Sequence, residues 1–305
     1  ANMKQISKNH ASYPLVFIGD NGAVCKKVAK EGFEVWKSPN PEVAWEINRY
    51  SMSHNPDFRD GFWFKTLARF FALNEYLRIN PETPSLLIES DVWVSPSFPI
   101  DAFVKSDISI AFPLTTSSQG VASTFFIRTQ SDLQKFLDFA VQEVNRDKTS
   151  TDVSILANYR RAKPQEVFVL PSGPSSAEAY NLDFKDVDPG LLSDNTLFAN
   201  QIFDASTWGQ FLTGEDPRNS WGIRVVYHAQ AHHAVNPSRF SFRVSRNKIY
   251  AEIGGASLQI HSLHVHSKDI RVFKNQNFVA SRLRSYQGLL RKEIVWKYFL
   301  IFLPY

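Results

Sequence analysis

The sequence predicts a mixed α/β fold in which a mainly parallel sheet is flanked by helices. Short apolar runs of strand length alternate with segments of helical periodicity as far as position 170. Clusters of Gly, Pro, Asn and Asp separate these segments. The 305 residues are 43% hydrophobic and 21% charged, which is typical of a folded chain with a substantial core. Strands that alternate with helices favour parallel pairing.

The predicted elements follow one another as strands and helices along the first half of the chain. A β-α-β unit comes first, and the long helix 62–78 is the clearest element, because its apolar residues recur at helical spacing until Asn80-Pro81 ends it. The predicted strands are 14–19, 33–36, 86–89, 108–112, 123–128 and 166–170. The predicted helices are 23–31, 41–50, 62–78, 100–104, 130–145 and 151–158.

The chain changes character after Pro171. Residues 172–238 are rich in loop-forming residues, and residues 240–267 alternate as a C-terminal β-hairpin around Arg246-Asn247-Lys248. No internal repeat or low-complexity tract is present in the sequence. One α/β domain with a C-terminal extension is the simplest division.

Charge and cysteine content restrict the class of protein. A net charge of +4 is too small to indicate nucleic-acid binding, so we expect no nucleic-acid partner. The single cysteine, Cys25, excludes an intramolecular disulfide and favours a reducing, cytoplasmic location. The basic and apolar segment 281–305 ends in a stretch too short to span a bilayer. Segment 281–305 is therefore a candidate for peripheral membrane contact. The alternatives are that it forms a packing helix or the start of a further domain.

Two carboxylates close the apolar run Ser85-Leu-Leu-Ile-Glu89-Ser-Asp91. Residues at i and i+2 of a strand share a face, so Glu89 and Asp91 are expected to converge at the strand's carboxyl end, where open α/β sheets bind ligands. Two adjacent acids repel unless a cation lies between them, and Mn²⁺ or Mg²⁺ prefers such oxygen ligands. The alternative is a strand that ends in polar residues, with Asp91 capping a turn.

A second cluster lies late in the chain, at His261-Ser-Leu-His264-Val-His266-Ser-Lys268. Strand periodicity places His264, His266 and Lys268 on one face, opposite His261. An imidazole can complete the coordination of a transition metal, and a lysine can meet a phosphate as a point charge. Either His264 or His266 satisfies this geometry. A partly buried hairpin with polar faces is the alternative.

Together these motifs resemble those of GT-A glycosyltransferases. Glu89-Ser90-Asp91 resembles their DxD motif, although its first acid is Glu, and the late histidine with Lys268 resembles their third metal ligand and phosphate contact. The resemblance covers about residues 14–268, and the order of its short motifs carries more weight than any one of them. Further similar segments are helix 62–71 with Lys65 or Arg69 directed toward the nucleotide, strand 120–127, helix start 151–156, and segment 203–219.

The resemblance implies a Rossmann-like GT-A catalytic domain over 1–268, with a nucleotide-sugar half at about 14–170 and an acceptor and metal-completing half at 171–268. Residues 269–305 then form a basic helical extension. The implied activity is metal-dependent transfer of a sugar from a nucleoside diphosphate sugar to a saccharide or lipid-linked glycan, with Mn²⁺ or Mg²⁺ as cofactor. Metal-dependent nucleotidyltransferases and phosphohydrolases, or a non-catalytic carbohydrate-binding module, are the alternatives.

Glycosyl transfer also needs a carboxylate at the sugar, either as a base or as support for the developing positive centre. Asp152 and Asp204 are the candidate catalytic residues. Asp152 begins a predicted helix and is equally well explained as a favourable acid in the first helical turn. Asp204 lies in a loop-rich segment and is equally well explained as a turn former.

Overall fold

The computed structural model describes residues 2–19, 21–37, 62–180, 188–192, 197–214, 234–246 and 248–266. The predicted helix 41–50, the extension 269–305 with the candidate membrane segment 281–305, and Lys268 lie outside these residues. Most of the second half of the predicted loop-rich region 172–238 also lies outside the described residues.

Seven α-helices and twelve β-strands are present in the described residues. The helices are α1 (Asn2–Asn9), α2 (Gly22–Lys30), α3 (Phe62–Leu77), α4 (Ile100–Lys105), α5 (Gln130–Arg146), α6 (Asp152–Ala162) and α7 (Thr207–Thr213). The strands are β1 (Val16–Gly19), β2 (Glu34–Lys37), β3 (Ser85–Ile88), β4 (Val92–Val94), β5 (Ile110–Thr116), β6 (Gln119–Gly120), β7 (Thr124–Ile127), β8 (Val167–Leu170), β9 (Gln201–Phe203), β10 (Ser241–Ser245), β11 (Lys248–Ile253) and β12 (Ala256–His264). The mixed α/β class is therefore confirmed.

The strands form three sheets. β1 and β2 make a small parallel pair; a five-stranded sheet has the order β3-β7-β5-β6 with β8 beside β5. A second five-stranded sheet has the order β10-β11-β12-β4 with β9 beside β12. The predicted C-terminal hairpin is confirmed as β10 and β11, and β12 extends it across a turn in which Gly254 and Gly255 both have positive φ (54° and 83°).

A mainly parallel sheet is not confirmed. Among the pairings of the described strands, β1–β2, β5–β8 and β9–β12 are parallel, and the remaining six are antiparallel. Connection length explains the antiparallel pairings of β5 with β6 and β7. β5, β6 and β7 follow one another through very short loops, and such loops can join only antiparallel neighbours.

The helices pack on the sheets through the apolar faces that the sequence predicts. Leu67, Phe70, Leu73 and Leu77 form the buried face of α3, and Phe70 packs edge-on against Phe125 of β7 at a ring-centroid distance of 5.0 Å. Thr129 and Thr151 are the N-cap residues that precede α5 and α6, and each accepts a backbone hydrogen bond through its side-chain oxygen. Within the described part of the chain, no helix is both long enough and apolar enough to cross a bilayer.

The two large sheets meet at residues 89–91. β3 ends at Ile88 in the first sheet and β4 begins at Val92 in the second, so Glu89-Ser90-Asp91 is the connection between them. The backbone turns here, because the N–H of Val92 donates to the carbonyl of Glu89 at 3.0 Å. β12 pairs with β4 in a register that sets His264 opposite Val92. This topology brings two motifs far apart in sequence to one place.

Candidate metal centre

Glu89, Asp91 and His264 form a compact three-ligand cluster. Their ligand atoms lie within 4.8 Å of one another. Nε2 of His264 lies 3.1 Å from Oε2 of Glu89 and 3.4 Å from Oδ2 of Asp91. His264 is buried, whereas the two carboxylates are partly exposed. Two carboxylate oxygens and one imidazole nitrogen are a donor set that suits Mn²⁺, with Mg²⁺ as the harder alternative.

The ring of His264 is oriented for such a role. Its Nδ1 lies 3.2 Å from the backbone carbonyl oxygen of Ala205. A carbonyl can only accept a hydrogen bond, so Nδ1 donates to it. Nε2 then faces the oxygens of Glu89 and Asp91, where its lone pair would be available to a cation bound between the three side chains. A backbone carbonyl that accepts from the other ring nitrogen commonly fixes a metal-binding histidine in this way.

His266 lies beside this cluster without belonging to it. β12 ends at His264, and the N–H of His266 donates to the His264 carbonyl at 2.9 Å, so the strand periodicity behind the prediction stops there. The two imidazole rings are 4.1 Å apart at their centroids. Of the two candidates, His264 therefore lies in the cluster and His266 does not. His261 points away and packs on Phe203, and burial lowers its pKa to about 3.

Arg69 joins the cluster to Asp152. Its Nη1 is in contact with Oε1 of Glu89, and its Nη2 lies 2.8 Å from Oδ2 of Asp152. The hydroxyl of Thr66 donates to the other oxygen of Asp152 at 3.0 Å. Lys65, the other basic residue considered on this helix, is exposed and does not line the cleft described below. The helix therefore directs Arg69, and not Lys65, to the site.

Asp204 is fully buried, with no exposed surface. Its Oδ1 accepts a hydrogen bond from the N–H of Trp208 at 2.9 Å, and its Oδ2 accepts from the N–H groups of Gly209 at 2.7 Å and His264 at 2.9 Å. Burial raises the pKa of Asp204 to about 6, and these hydrogen bonds oppose the rise. Asp204 does not line the cleft, so its carboxylate does not face the space in which a sugar would lie.

A cleft of about 1180 Å³ opens over the cluster. Its polar lining includes Glu89, Asp91, His264, Arg69 and Asp152. Charged groups of both signs are thus concentrated in one part of a large cavity, and this is the arrangement expected at a site for a charged ligand.

Three contributors to the site carried no signal in the sequence: Thr66, Ala205 and Asn2. Ala205 contributes a backbone carbonyl, which any residue type could supply. Asn2 of α1 donates from Nδ2 to the carbonyls of Ser90 at 3.0 Å and Val92 at 2.9 Å, on either side of Asp91. Only the tertiary structure brings these residues to the ligands. No protein-family model and no curated protein matches the sequence of this chain.

Proposed function

We propose that this protein is a metal-dependent glycosyltransferase that moves a sugar from a nucleoside diphosphate sugar to a saccharide or lipid-linked glycan. The observation that carries the proposal is the cluster of Glu89, Asp91 and His264, which lines a large cleft. In this proposal the three side chains hold Mn²⁺ or Mg²⁺, which when bound neutralises the negative charge on the leaving diphosphate.

The residues around the cluster supply the other requirements of the reaction. Arg69 places a permanent positive charge next to Glu89, where it can also meet an anionic donor. Asp152 lines the same cleft and is held by Thr66 and Arg69, so its carboxylate has a fixed direction. We assign Asp152 to the sugar, where it would support the positive charge that develops at the anomeric carbon.

A GT-A fold, with the site residues in the order found in that family, is part of the same proposal. Its support is the order of parts along the chain: the acid pair directly after β3, Asp152 at the start of α6, and His264 at the end of β12. Lys268 as a phosphate contact and segment 281–305 as a membrane contact are further parts of the hypothesis. They concern residues outside the described ones.

Thermal melting tests the proposal directly. The wild-type chain and the Asp91→Ala variant are melted with nucleoside diphosphates and sugar nucleotides, with and without Mn²⁺. A ligand at about 100 times its Kd stabilises the native state by about 2.7 kcal/mol. We expect one nucleoside diphosphate to raise the Tm of the wild-type chain only with Mn²⁺, and to have no effect on Asp91→Ala. No shift with any nucleotide would refute the proposal.

Product analysis then separates the transferase from the alternative enzymes that use the same ligands. With the stabilising sugar nucleotide and an acceptor, release of free nucleoside diphosphate is expected. Release of pyrophosphate would instead indicate a nucleotidyltransferase, and release of nucleoside monophosphate a phosphohydrolase. A nucleotide-independent affinity for glycans that survives Asp91→Ala would indicate a binding module.

A further inference from the structure

We infer that Asp204 is a positioning residue that fixes the metal ligand His264, an inference that rests on the proposed metal site. Its carboxylate accepts hydrogen bonds from three backbone N–H groups, one of them that of His264, and does not line the cleft. This role differs from a catalytic one, because Asp204 acts on the reaction only through His264.

The Asp204 carboxylate joins two elements of the fold, the end of β12 and the start of α7. One oxygen is shared between the N–H of His264, at the end of β12, and the N–H of Gly209, in the first turn of α7. The other oxygen accepts from the N–H of Trp208 in the same turn. A single buried side chain therefore links the end of the strand that carries the ligand to the start of a helix. Loss of the carboxylate would leave three buried N–H groups without this acceptor.

The residue after Asp204 controls the imidazole itself. The carbonyl of Ala205 accepts from Nδ1 of His264, while the side chain of Asp204 accepts from the His264 backbone. The short segment 204–205 thus fixes both the position of the ligand's backbone and the rotation and tautomer of its ring. Both are needed to keep Nε2 directed at Glu89 and Asp91.

The contact between α7 and β12 is unusually close, and Gly209 permits it. A Cβ atom at position 209 would lie 1.9 Å from the carbonyl oxygen of His264 and 2.7 Å from Oδ2 of Asp204. Any other residue at this position would force the helix away from the ligand. The glycine and the carboxylate therefore act together in one contact.

Asp204 is itself held by both halves of the site. Its carbonyl accepts from the hydroxyl of Ser123 at 2.5 Å, and its N–H donates to the hydroxyl of Ser262 at 3.2 Å. The carbonyl of Ser123 also accepts from the N–H of Glu89 at 3.3 Å. Asp204 is thus connected through one serine to the carboxylate side of the cluster and through another to the histidine side.

The test compares Mn²⁺ affinity with stability in matched variants. The wild-type chain, Asp204→Asn, Asp91→Ala and Asn74→Ala are titrated with Mn²⁺ alone, well below the lowest Tm, and binding is followed by the electron paramagnetic resonance signal of free Mn²⁺. Asn74 is the control, because its buried amide pairs with Gln130 and Gln134 of α5 and does not line the cleft. We expect Asp204→Asn to weaken Mn²⁺ binding about tenfold or more, and Asn74→Ala to lower the Tm with an unchanged Kd.

Each outcome has a distinct meaning. If the wild-type chain does not bind Mn²⁺, the proposed metal site and this inference both fail. If the wild-type chain binds and Asp91→Ala does not, but Asp204→Asn binds within about twofold of wild type, the site stands and only the inference is overturned. An equal loss of affinity in Asn74→Ala would also overturn it, since general destabilisation would then explain the effect.

A gentler variant covers the case in which Asp204→Asn does not fold. Ser262→Ala removes only the acceptor of the Asp204 N–H. We expect a smaller loss of Mn²⁺ affinity in this variant, together with a shift in the ¹⁵N resonances of the His264 ring, which report its tautomer. Wild-type affinity and wild-type ring resonances in Ser262→Ala would count against the inference.

Discussion

The carboxylate side and the histidine side of the candidate metal centre are held in different ways. Glu89 and Asp91 lie in the connection that follows β3. All four residues of β3 are partly exposed, and the side chains of Glu89 and Asp91 are 16% and 21% exposed. His264 ends β12, whose last five residues are buried between β4 and β9. The histidine is therefore positioned by strand pairing together with the buried Asp204, whereas the carboxylates depend on the partly exposed Arg69 and on Asn2.

This difference suggests a division of roles within the proposed site. A ligand fixed by buried backbone contacts keeps its geometry whether or not a cation is bound. Carboxylates that are held by a charged side chain can exchange that partner for a cation. The carboxylate side is therefore the part of the site that is expected to adjust on binding.

The largest expected effect comes from removing the partner of the carboxylates. Arg69→Met leaves Glu89 and Asp152 close together without their shared cation, and breaking such an ion pair typically costs about 3 kcal/mol. Bound Mn²⁺ would restore a positive charge beside Glu89. We therefore expect a lower Tm than wild type without metal and a larger Mn²⁺-induced rise in Tm, both measured by calorimetry.

The matched control for that prediction is Arg128→Met. Arg128 donates to the carbonyls of Ile108 and Phe103, away from the cluster. Its loss should lower the Tm while leaving the Mn²⁺-induced rise as it is in the wild-type chain. If Arg69→Met shows a smaller Mn²⁺-induced rise than wild type, then Arg69 assists the carboxylates and does not compete for them, and the proposed division of roles is wrong.

A second prediction concerns the histidine side and pH. His261 on β12 is buried, its pKa is lowered to about 3 chiefly by burial, and Lys248 contributes a smaller lowering. The unfolded chain binds a proton at His261 below about pH 6.5 and the folded chain does not, so stability is complete above that pH and is lost as the pH falls toward 3. From pH 7.5 to pH 5 the loss attributable to this group is about 2 kcal/mol.

His261→Phe provides the measurement, because a phenyl ring suits the neighbouring Phe98 and Phe203. Urea denaturation of the wild-type chain and the variant between pH 5 and pH 7.5 gives the two free energies of unfolding. We expect the difference between the proteins to shift in favour of the variant by about 2 kcal/mol as the pH falls. Parallel pH profiles would mean that His261 becomes protonated in the folded chain and that this strand is less rigid than inferred.

The sequence alone predicts the parts of this site that follow from local patterns, but not the parts that depend on contacts between residues far apart in the chain. The acid pair after β3 and the amphipathic α3 follow from local patterns, and the structure places Arg69 of α3 beside Glu89. The choice between His264 and His266 depends on where β12 stops, which is decided by its pairing with β4. The alternation of strands and helices predicts a parallel sheet, but this pattern does not reveal which strands pair.

The last prediction tests the support that α1 gives to the carboxylate side. Asn2→Ala removes two hydrogen bonds to the carbonyls of Ser90 and Val92, which together contribute about 2 kcal/mol to stability. Gln5→Ala is the control, because Gln5 donates to the carbonyl of Val94, farther along the same strand. Both variants should lower the Tm modestly, but only Asn2→Ala should also weaken Mn²⁺ binding, since only Asn2 holds the segment between the two acids. Equal Mn²⁺ affinities in the two variants would show that α1 supports β4 in general and that the connection between Glu89 and Asp91 keeps its shape without Asn2.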